Sequence, residues 1–331
     1  MPAPGSLSAL SSGRADTQRP IRMNDPNILV TGANGDIAEA ICGILREAFP
    51  DAKIDGADAS GTRPGEGLFD HMKSLPRADS ADFVPALTQL SEQMSYSLVI
   101  PTVEAELWVL AHTAQENLLG IPLLMVQAPL LRCFLDKLET ANWLSAQGLQ
   151  PPHTVPFDKA DDLKLPIIVK PRQGRGSRGI EVVRTDRHLE FVKTQMPSNA
   201  IAQEYVGDDD NEYTCAVIRL DGQTRTLALK RRLAGGRTVF AEEVSDRKID
   251  DMVIGVAEAC DLDGAINVQL RMTVAGPKIF EINPRFSSTV MMRHRLGFQD
   301  LVWAVTGRLG NYAPRPGRTV YRLSREMIFE P

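Results

Sequence analysis

Asn267-Val268-Gln269-Leu270-Arg271 and Ile279-Phe280-Glu281-Ile282-Asn283 are the two stretches on which the fold turns. In each, polar and apolar residues alternate, as they do in a strand whose successive side chains face opposite ways. Gln269 and Arg271 share one face of the first, and Glu281 and Asn283 share one face of the second. Gln269 and Glu281 are equidistant from Ala275, so a hairpin turning there through an odd loop sets them opposite each other. Side-chain oxygens converging on one face suit Mg²⁺, which keeps several waters and shares phosphate oxygens. Arg285, just past Pro284, adds a planar cation that a phosphate can use. Ordinary polar residues on the solvent face of an antiparallel sheet would explain any one of these, but less easily the set.

Upstream, a buried strand Pro166–Lys170 brings Lys170 to a strand end, followed by Pro-Arg-Gln-Gly174-Arg-Gly176-Ser177-Arg-Gly179. Backbone amides in such a glycine loop approach phosphate oxygens closely. A strand, Ile180–Arg184, follows instead of a helix, so the loop reads as a hairpin flap and not as the phosphate loop that opens a helix. Gln203-Glu204-Tyr205-Val206-Gly207 runs a strand into a glycine turn whose backbone suits a flat base, and Glu212 is placed to hold ribose hydroxyls. Asp208 to Asp210 reads as a solvated turn.

The first hundred residues of structure have another rhythm. Ile28–Val30, a Gly32/Gly35 turn, a helix to about Phe49, a strand at Lys53–Gly56, a helix at 82–94, a strand at 97–100, a helix at 103–117 and a strand at 123–126 indicate a parallel, doubly wound sheet. The glycine turn with Asp55 or Asp58 raises a dinucleotide site, but Val30 and Ala38 stand where its other glycines belong. Beyond residue 127, Leu131, Leu135, Leu138, Ala141 and Leu144 recur at helical spacing. Mostly antiparallel strands with a few helices then follow, an α+β region.

The chain has 331 residues, 43% hydrophobic and 24% charged, an ordinary globular balance with material for about two domains. A net charge of −5 argues against a nucleic-acid partner. No apolar run is long enough to span a membrane. Cys42, Cys133, Cys215 and Cys260 form no CxxC pair, which fits a reducing cytoplasm better than a disulfide scaffold or zinc site. Residues 1–25, Ser-, Pro- and Arg-rich, read as a disordered tail in preference to a transit peptide.

Together these motifs resemble the ATP-grasp superfamily, in particular a single synthetase module of the carbamoyl-phosphate synthase large subunit. Glu281-Ile-Asn-Pro-Arg-Phe-Ser-Ser288 is the most specific piece, and the resemblance covers about residues 26–310. It implies an ATP-grasp fold (α/β plus α+β) with a Rossmann-like pre-ATP-grasp domain at 26–127. It also implies an ATP-grasp domain at 128–310, with a lid subdomain at about 128–206 and a larger α+β subdomain at about 207–310, and a terminal turn and strand at 311–331. On that likeness Lys137, Lys170 and the flap residues Gly174, Gly176 and Ser177 meet the nucleotide phosphates. Gln203, Glu204 and Val206 hold adenine and Glu212 the ribose. Gln269, Glu281 and Asn283 ligate Mg²⁺ (or Mn²⁺), and Arg285 and Lys170 serve the reaction.

The implied activity is an ADP-forming ligase joining a small carboxylate to an amine through an acyl phosphate. Length excludes a complete carbamoyl-phosphate synthase. Lys230, Arg231, Arg232, Arg237, Arg293 and Arg295 are candidate anion binders, and Glu104 or Glu106 could hold an amine or cap a helix. The rival readings are a catalytically silent ATP-binding module and an NAD(P)-dependent oxidoreductase. A homodimer is the expected assembly.

Overall fold

The computed structural model describes residues 26–61, 65–113, 117–118, 120–174 and 179–323. The N-terminal segment 1–25, Gly176 and Ser177 of the glycine loop, and residues 324–331 of the expected last strand lie outside the described residues.

The first half is built on a parallel sheet. Its strands are β1 (Asn27–Thr31), β2 (Lys53–Asp58), β3 (Met72–Ser74) and β4 (Leu98–Ile100), in the order β3-β2-β1-β4. Ile28, Leu29, Val30 and Ile54 have no exposed surface, as parallel strands covered on both faces require. Helices α1 (Asp36–Ala48), α2 (Phe83–Met94) and α3 (Glu104–His112) connect them, and Asn117–Leu118 (β5) pairs with Ile121–Pro122 (β6). The third helix therefore stops at His112, short of the expected 117. The strand expected at 123–126 reduces to one parallel bridge, Val99 to Leu123.

The helical spacing from Leu131 to Leu144 resolves into two helices, α4 (Ala128–Phe134) and α5 (Lys137–Ala146). The break is at Asp136, whose carboxylate accepts from the backbone N–H groups of Leu138 and Glu139 and so starts a new helix. A small antiparallel sheet follows: β7 (Thr154–Pro156), β8 (Ile167–Pro171), β9 (Glu181–Val183) and β10 (Ala200–Glu204), ordered β7-β10-β8-β9, with α6 (Asp186–Gln195) packed on it.

The largest sheet comprises β11 (Glu212–Leu220), β12 (Gln223–Ala234), β13 (Arg237–Val244), β14 (Gly264–Thr273), β15 (Gly276–Asn283) and β16 (Thr319–Tyr321), ordered β15-β14-β11-β12-β13-β16. One face buries Val217, Val268 and Ile282 against α7 (Arg247–Ala259) and α4. The other buries Ala216, Ile218 and Leu229 against α1 and two helices that sequence patterning left unread, α8 (Val290–Arg295) and α9 (Asp300–Thr306). Beyond that apolar patch the same face turns polar, with Asn267, Gln269, Arg271, Glu281, Asn283, Glu212 and Arg231. Among the described residues no helix is long and apolar enough to cross a membrane.

Candidate active site

A cleft of about 400 Å³ lies between the small sheet, the polar face of the large sheet and the start of α1. Lys137, Lys170, Gly174, Gln269, Glu281, Asn283 and Arg285 all line it. Seven residues spread over 149 positions of sequence, from Lys137 to Arg285, thus meet in one cavity.

Gln269 and Glu281 are indeed opposite partners, but not through an odd loop. Thr273 pairs with Gly276 around a two-residue turn, Val274–Ala275, and the Thr273 hydroxyl closes it by accepting from Ala275 N–H and donating to the Gly276 carbonyl. An even loop alone would set Gln269 against Phe280. The register shifts after Gln269, so Phe280 is an extra, bulged residue and Glu281 takes the pairing position. The bulge aims the Phe280 carbonyl at the Lys170 ammonium, 3.4 Å away.

Lys170 is 2% exposed and also donates to the Gln203 side-chain oxygen at 2.9 Å, while the Gln203 amide donates to Thr154. Burial pushes the Lys170 pKa down to about 8, with Glu281 pulling it up and Lys137 and Arg271 pushing it further down. Burial works against the Glu281 charge, but Lys137, Lys170, Arg231 and Arg285 outweigh it and hold the carboxyl below its ordinary value. Lys137, at the first turn of α5, donates to the Gly174 carbonyl at 2.9 Å. Its own N–H donates to the Arg172 carbonyl, and Arg172 is clamped on Asp136 at 2.6 Å, so the root of the glycine loop is fastened to α5.

Gln203 sits behind Lys170, while Glu204, Val206 and Glu212 do not line the cleft. Glu204 lies 3.7 Å from Lys278 and accepts from His153 N–H. The Val206 carbonyl accepts from Arg271. Glu212 is 7% exposed, one oxygen held by Arg231 and the other by Arg271. Arg231 also donates to the Gln269 side-chain oxygen at 2.8 Å. The charge count of the sequence could not single Arg231 out, because its role depends on strand alternation: Arg231 faces the cleft and its neighbours Lys230 and Arg232 face away. Arg237 also lines the cleft. Arg293 is instead buried in the protein, ion-paired to Asp300 at 2.7 Å, and Arg295 pairs with Glu47 on the outside. Glu104 meets Arg285 at 2.5 Å, whereas Glu106 accepts from Thr31 inside the parallel sheet.

Among the described residues no three His, Cys, Asp or Glu side chains gather into a metal group. A divalent cation here would rely on one carboxylate and two amides, Glu281, Gln269 and Asn283. These are hard oxygen donors on one face, and Glu281 is kept ionised, so the set suits Mg²⁺. The Asn283 amide nitrogen is buried without a hydrogen-bond partner among the described residues, so that side chain has a donor left over for a bound group.

The glycine turn after β1 is steric. A Cβ on Gly32 would come within 2.4 Å of Val103 and 2.7 Å of Thr102. Asp55 is 2% exposed and holds Tyr96 and His71, and Asp58 accepts from Asn34 and Ser60 of its own turn. Both candidate ribose carboxylates are thus engaged locally, which weakens the dinucleotide reading.

Residues 134–289 match the family model described as an ATP-grasp domain. Comparison with curated proteins gave no match. Among solved structures, N5-carboxyaminoimidazole synthetase from Staphylococcus aureus complexed with ADP superposes with a TM-score of 0.71 at 16% identity, covering 89% of this chain and 80% of that one. L-amino acid ligase from Bacillus licheniformis gives 0.69 at 18%, covering 89% and 78%. Biotin carboxylase from Campylobacter jejuni, as a β-γ-ATP complex, gives 0.68 at 15%, covering 90% and 75%. At these identities the likeness establishes the fold.

Proposed function

We propose that this chain, whose residues 134–289 match the ATP-grasp domain model, is an ATP-dependent ligase acting on a small carboxylate and an amine. The observation that carries the reading is the single cleft holding Glu281, Gln269 and Asn283 together with the ammonium groups of Lys137 and Lys170. Such a set answers the needs of phosphoryl transfer, in which positioning and charge neutralisation do most of the work. The solved structures of this fold that hold ADP or an ATP form are consistent with it.

In this reading a carboxylate oxygen of the substrate attacks the γ-phosphorus, the bond to the β,γ-bridging oxygen breaks, and ADP leaves. The acyl phosphate that results has a good leaving group. An amine nitrogen then forms the new bond to the acyl carbon, phosphate departs with the C–O pair, and the amine proton passes to solvent. Lys170, held by Gln203 and the Phe280 carbonyl, and Lys137, tied to Gly174, are the cations for the phosphates. Arg285 faces the transferred group. Glu281, Gln269 and Asn283 would hold Mg²⁺, which would neutralise phosphate oxygens. Gly176 and Ser177 of the flap complete the assignment for the phosphates, whereas Glu204 and Val206, expected to hold the base, and Glu212, expected to hold the ribose, lie outside the cleft, with Glu212 already held by Arg231 and Arg271.

The test is ADP release by the full chain with ATP and Mg²⁺ across pools of carboxylic acids with an amine present. Substrate-dependent ADP formation, lost in Lys170→Ala by about 10²- to 10³-fold, supports the reading. Nucleotide binding with no turnover on any pool would instead favour a silent ATP-binding module.

A further inference from the structure

A second cavity, of about 440 Å³, adjoins the cleft and shares Glu104 and Gly174 with it. Its walls are mostly apolar, with Val103 just before α3, Ala105, Trp108 and Val109 on it, and Leu135, while Asp79 and Gln173 also line it. Its size falls in the range of small-molecule sites. At the junction the Glu104 carboxylate lies 2.5 Å from the Arg285 guanidinium, the two side chains 17% and 11% exposed. The other Glu104 oxygen takes no hydrogen bond from the described residues, and Arg285 Nε is buried without a partner among them. A desolvated carboxylate and guanidinium therefore stand side by side, each with bonding capacity left, at the mouth of an apolar chamber.

An α-amino acid with a large apolar side chain is the complement of that arrangement. It carries an ammonium and a carboxylate on one carbon and a hydrophobic group beyond. We propose that the junction and its chamber bind such an amino acid, with the ammonium on Glu104, the carboxylate toward Arg285 and the cleft, and the side chain against Trp108 and Leu135. An acid without the amino group would leave Glu104 unmatched, and an acidic side chain would meet Asp79 and be desolvated against Trp108, Val103 and Val109. The identity of the acid deepens the ligase reading and rests on it for the chemistry, but the chamber itself does not.

The experiment uses the full chain, wild type and two variants. Ala105→Phe plants a ring in the chamber from an exposed position on α3, and Trp108→Ala removes its largest wall. ADP release is measured with phenylalanine, leucine, aspartate and 3-phenylpropanoate, and calorimetry follows ADP and phenylalanine binding. Phenylalanine or leucine should drive ADP release at least tenfold faster than 3-phenylpropanoate or aspartate. Ala105→Phe should raise their KM at least tenfold and leave the ADP Kd unchanged, with Trp108→Ala acting in the same direction. Equal rates with the deaminated acid, a preference for aspartate, or an unchanged KM in Ala105→Phe would overturn the proposal. Should no acid release ADP, the ligase reading falls and calorimetry decides the chamber alone. Phenylalanine binding that Ala105→Phe abolishes upholds it, and no binding to the wild type ends it.

Discussion

Lys170 shows how a single side chain links sequence, burial and pH response. Its folded pKa of about 8 lies below the ordinary lysine value of 10.5. The unfolded chain therefore keeps this proton to higher pH than the folded one, so the lysine destabilises the fold below pH 8, and that cost is relieved as pH rises from 8 towards 10.5. Nucleotide phosphates call for the charged form. Above pH 8, ADP binding should take up a proton and weaken by up to about tenfold per pH unit. Calorimetry at pH 9 in two buffers of different ionisation enthalpy checks this, and equal heats in both would refute it. Gly32 has φ +64° with Val103 and Thr102 pressed against it, so Gly32→Ala should lower stability by about 1–3 kcal/mol, read as a shifted urea midpoint. That a glycine follows the first strand is evident in the sequence. That a neighbouring loop, and not a phosphate, explains it depends on Thr102 and Val103, some seventy residues away.

At the scale of elements, alternation and turn residues carried the reading a long way. The strand pair holding Gln269 and Glu281 was legible, and so was their opposition, yet the route to it was not. An odd loop and an even loop with a bulge give the same pairing, and a bulge at Phe280 leaves no mark in hydrophobic pattern. The run from Leu131 to Leu144 keeps helical spacing across a break, because Asp136 interrupts the backbone without interrupting the apolar stripe. Asp136 caps α5 and anchors Arg172, and it is only 5% exposed. Asp136→Ala should therefore cost about 2 kcal/mol or more in stability. It should also weaken ADP binding, since Lys137 begins the helix that the cap starts. Urea denaturation and calorimetry on the same variant separate the two effects. Trp108 carried no signal at all, since a cavity wall is defined by what lies opposite it.

Across the whole molecule, buried charge ties distant segments together. Glu243 has no exposed surface, and its carboxylate accepts from the Tyr312 hydroxyl, the Arg315 N–H and the Arg318 guanidinium. A chain ending at residue 309 strands that carboxylate without partners, at a cost of about 3–5 kcal/mol. Combining the truncation with Glu243→Leu should recover part of the loss, and a urea midpoint that the second change leaves unmoved would reject this account. The crowd of cations around Glu281 has a reach of its own. Lys137, Lys170, Arg231 and Arg285 surround one carboxylate inside a protein whose formal net charge is −5. Low-dielectric walls focus such a local excess into an electropositive funnel set in a negative exterior. A polyanion is drawn toward that cleft, so its rate of arrival should fall as added electrolyte shortens the Debye length.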